Sequence, residues 1–318
     1  MMLPLVSVVM PAYNAAATIE QAMASVWAQG YPALELLVVD DGSTDGTVAL
    51  VQAATAQGHP VRLWQQANQG PAQARNLALQ HAQGALIAFL DADDVWLPGK
   101  LQAQVAHLHK HPDTDVVFGR FQRWEANAQG QFDAPPTHVQ PQPGLAPPSG
   151  NLYADLLLDS AIHIITALVH KRVFERVGGF DTSLFTGEDY DFWLRVSWLH
   201  RIDQLAQTVA WYRIHPASVT KRLWPHSAEY QVLQKHLALH GATGPDGRTV
   251  PTHVLNQRLF GICFGHGYHH FWHGSPWVAF KAYAKATRHH PWAWKTWAYC
   301  ALSLLRVPFQ WVVRQRST

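Results

Sequence analysis

Three carboxylates close a short apolar run at Ala88-Phe89-Leu90-Asp91-Ala92-Asp93-Asp94, and no other stretch carries a stronger chemical signal. Leu86 to Leu90 is continuously apolar and too short for a buried helix, so it reads as a buried strand with the acids at its carboxyl end. Carboxylates this close repel one another and lose hydration on burial, which argues for a cation among them, a hard divalent ion first. The competing reading is a plain acidic strand-to-loop turn in which Asp94 caps the next segment. Asp40-Asp41-Gly42-Ser43 repeats the arrangement at the end of Leu34-Glu35-Leu36-Leu37-Val38-Val39, which is apolar from Leu36 on. A third group, Glu188-Asp189 with Asp191, opens an apolar-faced helix, where acids are favourable on helix-dipole grounds alone. Ligands of open α/β sheets bind beyond the carboxyl ends of the strands, so the first two groups fall where chemistry is expected.

The elements that position these acids alternate in type. Val6 to Met10 is a β-branched run ended by Pro11-Ala12-Tyr13-Asn14, and Ala15 to Gln29 is a helix for which Asn14 is the expected cap. Leu34 to Val39 is a second strand, followed by an Ala-rich helix to about Gln57 and a short strand, Val61 to Trp64. Pro71 opens the helix that carries Arg75 and Asn76. Further on come a helix over Pro98 to Lys110, a strand over Asp115 to Phe118, a helix over Asn151 to Ser160 and a strand over Ile164 to Val169. Lys171 to Val177 is a short helix, and Val209 to His215 a strand that delivers His215 at its end. This order predicts an α/β fold, a Rossmann-like, mostly parallel sheet flanked by helices. Neither Gly-x-Gly-x-x-Gly nor Gly-x4-Gly-Lys-Ser/Thr follows any strand, so a nucleotide would be held in some other way. A Pro-rich insertion at about 133–150 is expected to be exposed. From Pro225 the strand signals vanish and helical segments take over, giving an α/β domain over 1–224 and an α-helical C-terminal extension over 225–318.

Composition bounds the partners. A formal net charge of +2 gives no electrostatic case for nucleic acid. Cys263 and Cys300 form no metal-ligand pair and no disulfide framework, and the start lacks a secretory signal, so the expectation is cytoplasmic. His266, His269, His270 and His273 share a helical face without a cysteine or carboxylate partner, which suits an aromatic face better than a metal site. Trp292 to Val313 is interrupted by Lys295 and Arg306 and is too polar for a confident membrane span. It suits a helix lying peripherally at the inner face of the cell membrane, or a core or homodimer interface.

Taken in order, Pro11-Ala12-Tyr13-Asn14, Val38-Val39-Asp40-Asp41-Gly42-Ser43 with Asp45, Asn68-x-Gly70 with Ala74-Arg75-Asn76, Asp91-Ala92-Asp93-Asp94, Glu188-Asp189 and Tyr212-Arg213-x-His215 resemble the family 2 glycosyltransferases of GT-A fold. The resemblance covers roughly residues 5 to 220. It implies an inverting transferase that moves a sugar from a nucleotide-sugar donor to a hydroxyl of a glycan or lipid-linked acceptor. It implies nucleotide contacts from Pro11, Ala12, Tyr13, Asn14, Asp40, Asp41, Gly42, Ser43, Arg75, Asp91 and Ala92, with Asp41 or Asp40 accepting the N3–H of a uracil-like ring. Asp93 and His215 would hold Mn²⁺ or Mg²⁺, with Asp94 bracing the group, and coordination by His215 would favour Mn²⁺. Asp189 would be the catalytic base, with Glu188 as the second candidate. Trp193 and Arg195 are candidates for an acceptor wall, although a helical Trp also suits a core. Processive members carry Gln-x-x-Arg-Trp where this chain reads Asp191-Phe192-Trp193-Leu194-Arg195, so addition of one sugar is expected. A catalytically silent nucleotide-sugar binding protein and a nucleotidyltransferase are the alternatives. The latter should carry a Gly-rich basic loop that Pro11 to Asn14 lacks.

Overall fold

The structure is a computed structural model that describes residues 3–127, 132, 148–214 and 222–315, with side chains described as far as 306. Two compact units divide the chain: Met1–Tyr153 with Ser160–Ser218, and Ala154–Asp159 with Val219–Thr318.

Among the described residues the first unit is built on nine strands: β1 (Val6–Ala12), β2 (Leu34–Asp40), β3 (Val61–Gln65), β4 (Leu86–Phe89), β5 (Val95–Trp96), β6 (Val116–Glu125), β7 (Ser149–Gly150), β8 (Ala167–His170) and β9 (Ile202–Ile214). They form one sheet in the order β3-β2-β1-β4-β8-β6-β9-β5, with β7 beside β9. The first four strands are parallel, β8 runs antiparallel to both its neighbours, and β6 pairs parallel with β9. Because β2 and β3 lie to one side of β1 and β4 to the other, the sheet reverses its direction of growth between β1 and β4, and a crevice opens beyond their carboxyl ends. The continuous apolar runs follow from burial on both faces: Val6, Val8, Val9 and Met10 of β1 and Leu36 to Val39 of β2 are all 0% exposed.

Around the sheet run α1 (Ile19–Trp27), α2 (Thr47–Ala56), α3 (Pro71–His81), α4 (Lys100–Lys110), α6 (Arg172–Val177) and α7 (Glu188–Leu199), while α5 (Tyr153–Leu158) begins at the boundary between the units. Asn14 does not cap α1. The helix starts at Ile19 because the Ala15 and Ala16 amides are drawn to Thr47 Oγ1 and Asp45 Oδ2, at 2.8 and 3.0 Å. The strand expected over Ile164 to Val169 begins only at Ala167. Its first three residues form a 3₁₀ turn, tied by the Thr166 amide and hydroxyl to the His163 carbonyl. β6 and β9 outrun their apolar stretches because they pair with each other along most of their length. The insertion expected at 133–150 lies outside the described residues except for Pro148 and β7.

The second unit is helical: α8 (Ala228–His240), α9 (Thr252–His273), α10 (Pro276–His289) and α11 (Trp294–Gln315). Phe271, Ala279, Tyr283 and Cys300 form its core, and both cysteines are free and buried. In the histidine row of α9, His270 is 4% exposed and bonds the Trp224 carbonyl at 2.8 Å. Among the described residues, no helix is long and apolar enough to cross a membrane.

Candidate active site

The loops beyond β1 and β2 are sewn together by short polar links. Asn14, at φ +48°, donates its amide to Ser43 Oγ at 2.9 Å and accepts from the Thr44 amide at 2.8 Å. Gly42 holds φ +80°, and a Cβ there would lie 3.0 Å from the Asn68 amide, so glycine lets the 66–70 loop press against the turn. That loop is fixed by Asp41, 4% exposed, which accepts from Gln66 Nε2 at 2.7 Å and from the Gln69 and Gly70 amides at 2.8 Å each. Asp41 thus spends both oxygens on architecture. Asp40 accepts from the Ser43 amide at 3.2 Å, while its Oδ1 is buried without a partner. Pro11 and Ala12 belong to β1, Ala12 being 2% exposed, and Tyr13 stands out at 51% exposure.

Beyond β4 the Asp94 amide bonds the Asp91 carbonyl at 3.1 Å, closing the acidic turn. Arg75 reaches it from α3. Its buried guanidinium donates to Asp91 Oδ1 at 2.7 Å and to Glu188 Oε1 at 2.6 Å, joining the strand end to the first turn of α7. Gly187, at φ +77°, turns the chain into that helix in a conformation that side chains rarely adopt. Burial opposes the charge of Arg75, but Asp91 and Glu188 outweigh it and raise its pKa. Burial raises Glu188 too, against the pull of Arg75 and with the repulsion of Asp189. Asp189 is part-exposed, accepts from the Tyr190 amide at 2.8 Å, and is raised by desolvation despite Arg75. A carboxylate held above its ordinary range and still part-exposed is chemically suited to taking a proton.

Asp94 is 0% exposed, and burial with repulsion from Asp93 and Asp91 raises its pKa well above that of an ordinary carboxyl. Its Oδ1 accepts the Arg213 amide at 2.7 Å, so Asp94 braces the turn from within. Sequence reasoning missed Arg213 as a site residue. It is 2% exposed, donates to the Asp93 carbonyl at 3.0 Å and to Gln21 Oε1, and lies 4.5 Å over Trp124. It also missed His163, whose ring packs 4.8 Å from Phe121 and 4.5 Å from Tyr212 and lies within electrostatic range of Asp91 and Asp93. A lone histidine among Ile162, Ile164 and Ile165 gives no sequence signal.

Two expectations need correction. Trp193 is 0% exposed and packs against Phe192 at 4.9 Å, so it is core and offers no wall to a ligand. Arg195 binds Asp191 Oδ2 and the Val177 and Gly179 carbonyls at 2.8 to 2.9 Å, spending its guanidinium on tying α7 to the end of α6. His215 lies outside the described residues.

Among the described residues no three His, Cys, Asp or Glu side chains converge as a metal cage. Part-exposed Asp91 and Asp93, crowded enough to push Asp94 up, suit instead a hard cation that keeps its waters and takes one or two carboxylates.

A model of glycosyl transferase family 2 matches residues 7–140. WfgD of Escherichia coli, named as a UDP-Glc:alpha-D-GlcNAc-diphosphoundecaprenol beta-1,3-glucosyltransferase, is 33% identical over 193 residues, 60% of this chain and 69% of WfgD. An uncharacterised glycosyltransferase of Rickettsia felis is 29% identical over 231 residues, which is 72% of this chain and 37% of that protein. The chain therefore spans little more than a third of the length of some relatives. S. aureus TarS 1–349 in complex with UDP-GlcNAc superposes with a TM-score of 0.67 at 20% identity, covering 90% of this chain and 81% of that 1–349 fragment. The mannosyltransferase PcManGT from Pyrobaculum calidifontis, in complex with GDP-Man and Mn²⁺, gives 0.58 at 21%, covering 98% and 88%. At such identities the structural likeness speaks for the fold, which is that of the GT-A transferases. Joined to the WfgD relationship and the matched family model, it shows that this chain belongs to glycosyl transferase family 2.

Proposed function

We propose that the chain transfers one sugar from a nucleoside diphosphate donor to an acceptor hydroxyl, with inversion at the anomeric carbon. The observation that carries this reading is the double ion pair of Arg75, which joins the acidic turn after β4 to the start of α7, where Asp189 stands. The loops around Asn14, Asp40 and Ser43 receive the nucleotide. Exposed Tyr13 covers the base, and the unpartnered Oδ1 of Asp40 is the better acceptor for a ring N–H, since Asp41 is committed to the 66–70 loop. Asp93, with the second oxygen of Asp91, would hold Mn²⁺ or Mg²⁺. When bound, such an ion supplies positive charge beside the departing diphosphate.

Asp189 removes the acceptor hydroxyl proton as that oxygen bonds to the anomeric carbon. The bond from that carbon to the donor phosphate oxygen breaks, and the electron pair leaves with the nucleoside diphosphate. Attack opposite the leaving group inverts the centre. Glu188 is the weaker candidate for the base because its carboxylate is 8% exposed and engaged by Arg75. The name of WfgD supports a lipid diphosphate-linked sugar as the acceptor, and the nucleotide sugars bound to TarS and PcManGT support the donor class. That acceptor would place the protein at the cytoplasmic face of a membrane, with Trp292, Trp294 and Trp297, at 88%, 71% and 54% exposure, as lipid contacts.

The test measures nucleoside diphosphate release and the anomeric configuration of the product with Mn²⁺ and a lipid-linked acceptor. Asp189→Asn should lower kcat by about 100-fold or more while leaving donor affinity unchanged. Full turnover by that variant would overturn the assignment of the base. Donor binding without transfer by the unaltered protein would leave a nucleotide-sugar binding protein in its place.

A further inference from the structure

The helical unit carries a cavity of about 320 Å³, lined by residues of α8, α9, α10 and the segment before α8. Its polar lining is Ser227, Tyr230, His226, His266, Lys281 and Lys285, and no carboxylate is among its wall residues. Lys281 and Lys285 lie one helical turn apart on α10, so their stems share a face. Lys285 Nζ sits 5.2 Å over the Tyr230 ring and Lys281 Nζ 5.1 Å over Trp277. Neither lysine forms an ion pair among the described residues. The reason is visible in the charge distribution: residues 225–318 hold ten Lys and Arg against two Asp and Glu, a formal +8, while residues 1–224 sum to −6. Both acids of that segment already have partners, Glu229 with Arg258 and Asp246 with Arg248.

A helix end adds to the positive potential. Ser227 caps the thirteen-residue α8, accepting from the Tyr230 amide, so the positive end of that helix dipole lies at the cavity wall. His266 hydrogen-bonds the Pro225 backbone, and burial pushes it down to about 4, which leaves a neutral ring at physiological pH. Two lysines one turn apart in the cavity wall, with a helix amino end beside them, match a ligand that carries two negative charges. Val278, Ala282 and Pro225 supply an apolar wall beside them.

We propose that this cavity is a binding site for an organic diphosphate or phosphomonoester, held by Lys281 and Lys285. Two sources present that chemistry, a soluble phosphorylated metabolite and a phospholipid headgroup. This binding is independent of the transfer reaction, so either assignment can fail without the other.

The experiment uses the full chain with EDTA present, which suppresses metal-assisted phosphate binding at the acidic turn. Inorganic pyrophosphate is titrated by calorimetry. In parallel, the protein is floated with phosphatidylcholine vesicles with and without phosphatidic acid. K281Q/K285Q should weaken pyrophosphate binding about tenfold or more, whereas K281R/K285R and the control K235Q should bind like the unaltered protein. Lysine-dependent flotation restricted to phosphatidic acid vesicles identifies the headgroup as the source. Lysine-dependent pyrophosphate binding without it identifies a soluble phosphate. Absence of pyrophosphate binding by the unaltered chain, or equal binding by K281Q/K285Q, overturns the proposal.

Discussion

The turns after β2 and β4 end neighbouring regions of one sheet on acids, yet they use them in opposite ways. After β2, Asp41 meets two backbone amides and a side-chain amide, and three good donors make an ionised carboxylate a structural clamp. After β4, three acids share a turn in which the first is held by Arg75 and the last is sealed inside with one oxygen unpartnered. Donors supplied by backbone stabilise a carboxylate permanently. Acids crowded together without enough donors leave a site dependent on outside positive charge, which is what a binding centre requires. The same sequence signature, acids at a strand end, thus covers a clamp held by three donors and a turn whose innermost acid, Asp94, keeps one oxygen unpartnered.

Substitutions can break that contrast. The largest effect is expected for Arg75→Met, which leaves buried Glu188 and part-buried Asp91 without their shared counter-charge. A loss of about 3–5 kcal/mol in unfolding free energy is expected from denaturant melts, together with loss of transfer. The deficit should shrink at acid pH, because Glu188, already raised by burial, then takes up a proton. A smaller cost, about 1–3 kcal/mol, is expected for Asp41→Asn, which sets an amide against the Gln69 or Gly70 N–H. Asp94→Asn should cost less than about 1 kcal/mol, because an amide resembles the protonated carboxyl that burial already favours. Its pH dependence gives the sign. A carboxyl raised in the folded state binds more protons folded than unfolded, so it loses stability as pH rises above its ordinary range. Asp94→Asn should therefore gain on the unaltered protein from about pH 4 upward, as read from melting temperatures across pH. A clamp-sized loss for Asp94→Asn would erase the distinction between the two turns.

Much of this was legible in the chain, and the limits have physical causes. Continuous runs such as Val6 to Met10 and Leu36 to Val39 mark strands because burial on both faces removes the usual alternation, and Pro71 marks the start of α3. The acids at 40–41, 91–94 and 188–189 were visible as candidates because they sit where apolar patterns begin or end. Their division of labour was not, since Asp41 and Asp40 differ only in which way a tight turn aims them. Trp193 stands open between acceptor wall and core in the sequence because a helical Trp gives the same letter whether its face meets core or ligand. Arg213 was readable as part of a motif but not as the residue that fixes the Asp93 carbonyl, a contact made across 120 positions. The short β5 and the extended β6 and β9 are products of pairing rather than of local preference.

The reach of Arg75 also sets a timetable. Its two acids arrive far apart, Asp91 after 16 positions and Glu188 after 113. At ordinary translation speeds the stretch from Asp91 to Glu188 corresponds to roughly 5 to 20 seconds during which a nascent chain carries the acidic turn without α7. A product terminated before residue 188 would keep the whole 7–140 family segment and yet lack the carboxylate assigned to proton removal. Under the proposed mechanism the base is therefore supplied well after the family segment is complete, and the helical unit follows later still.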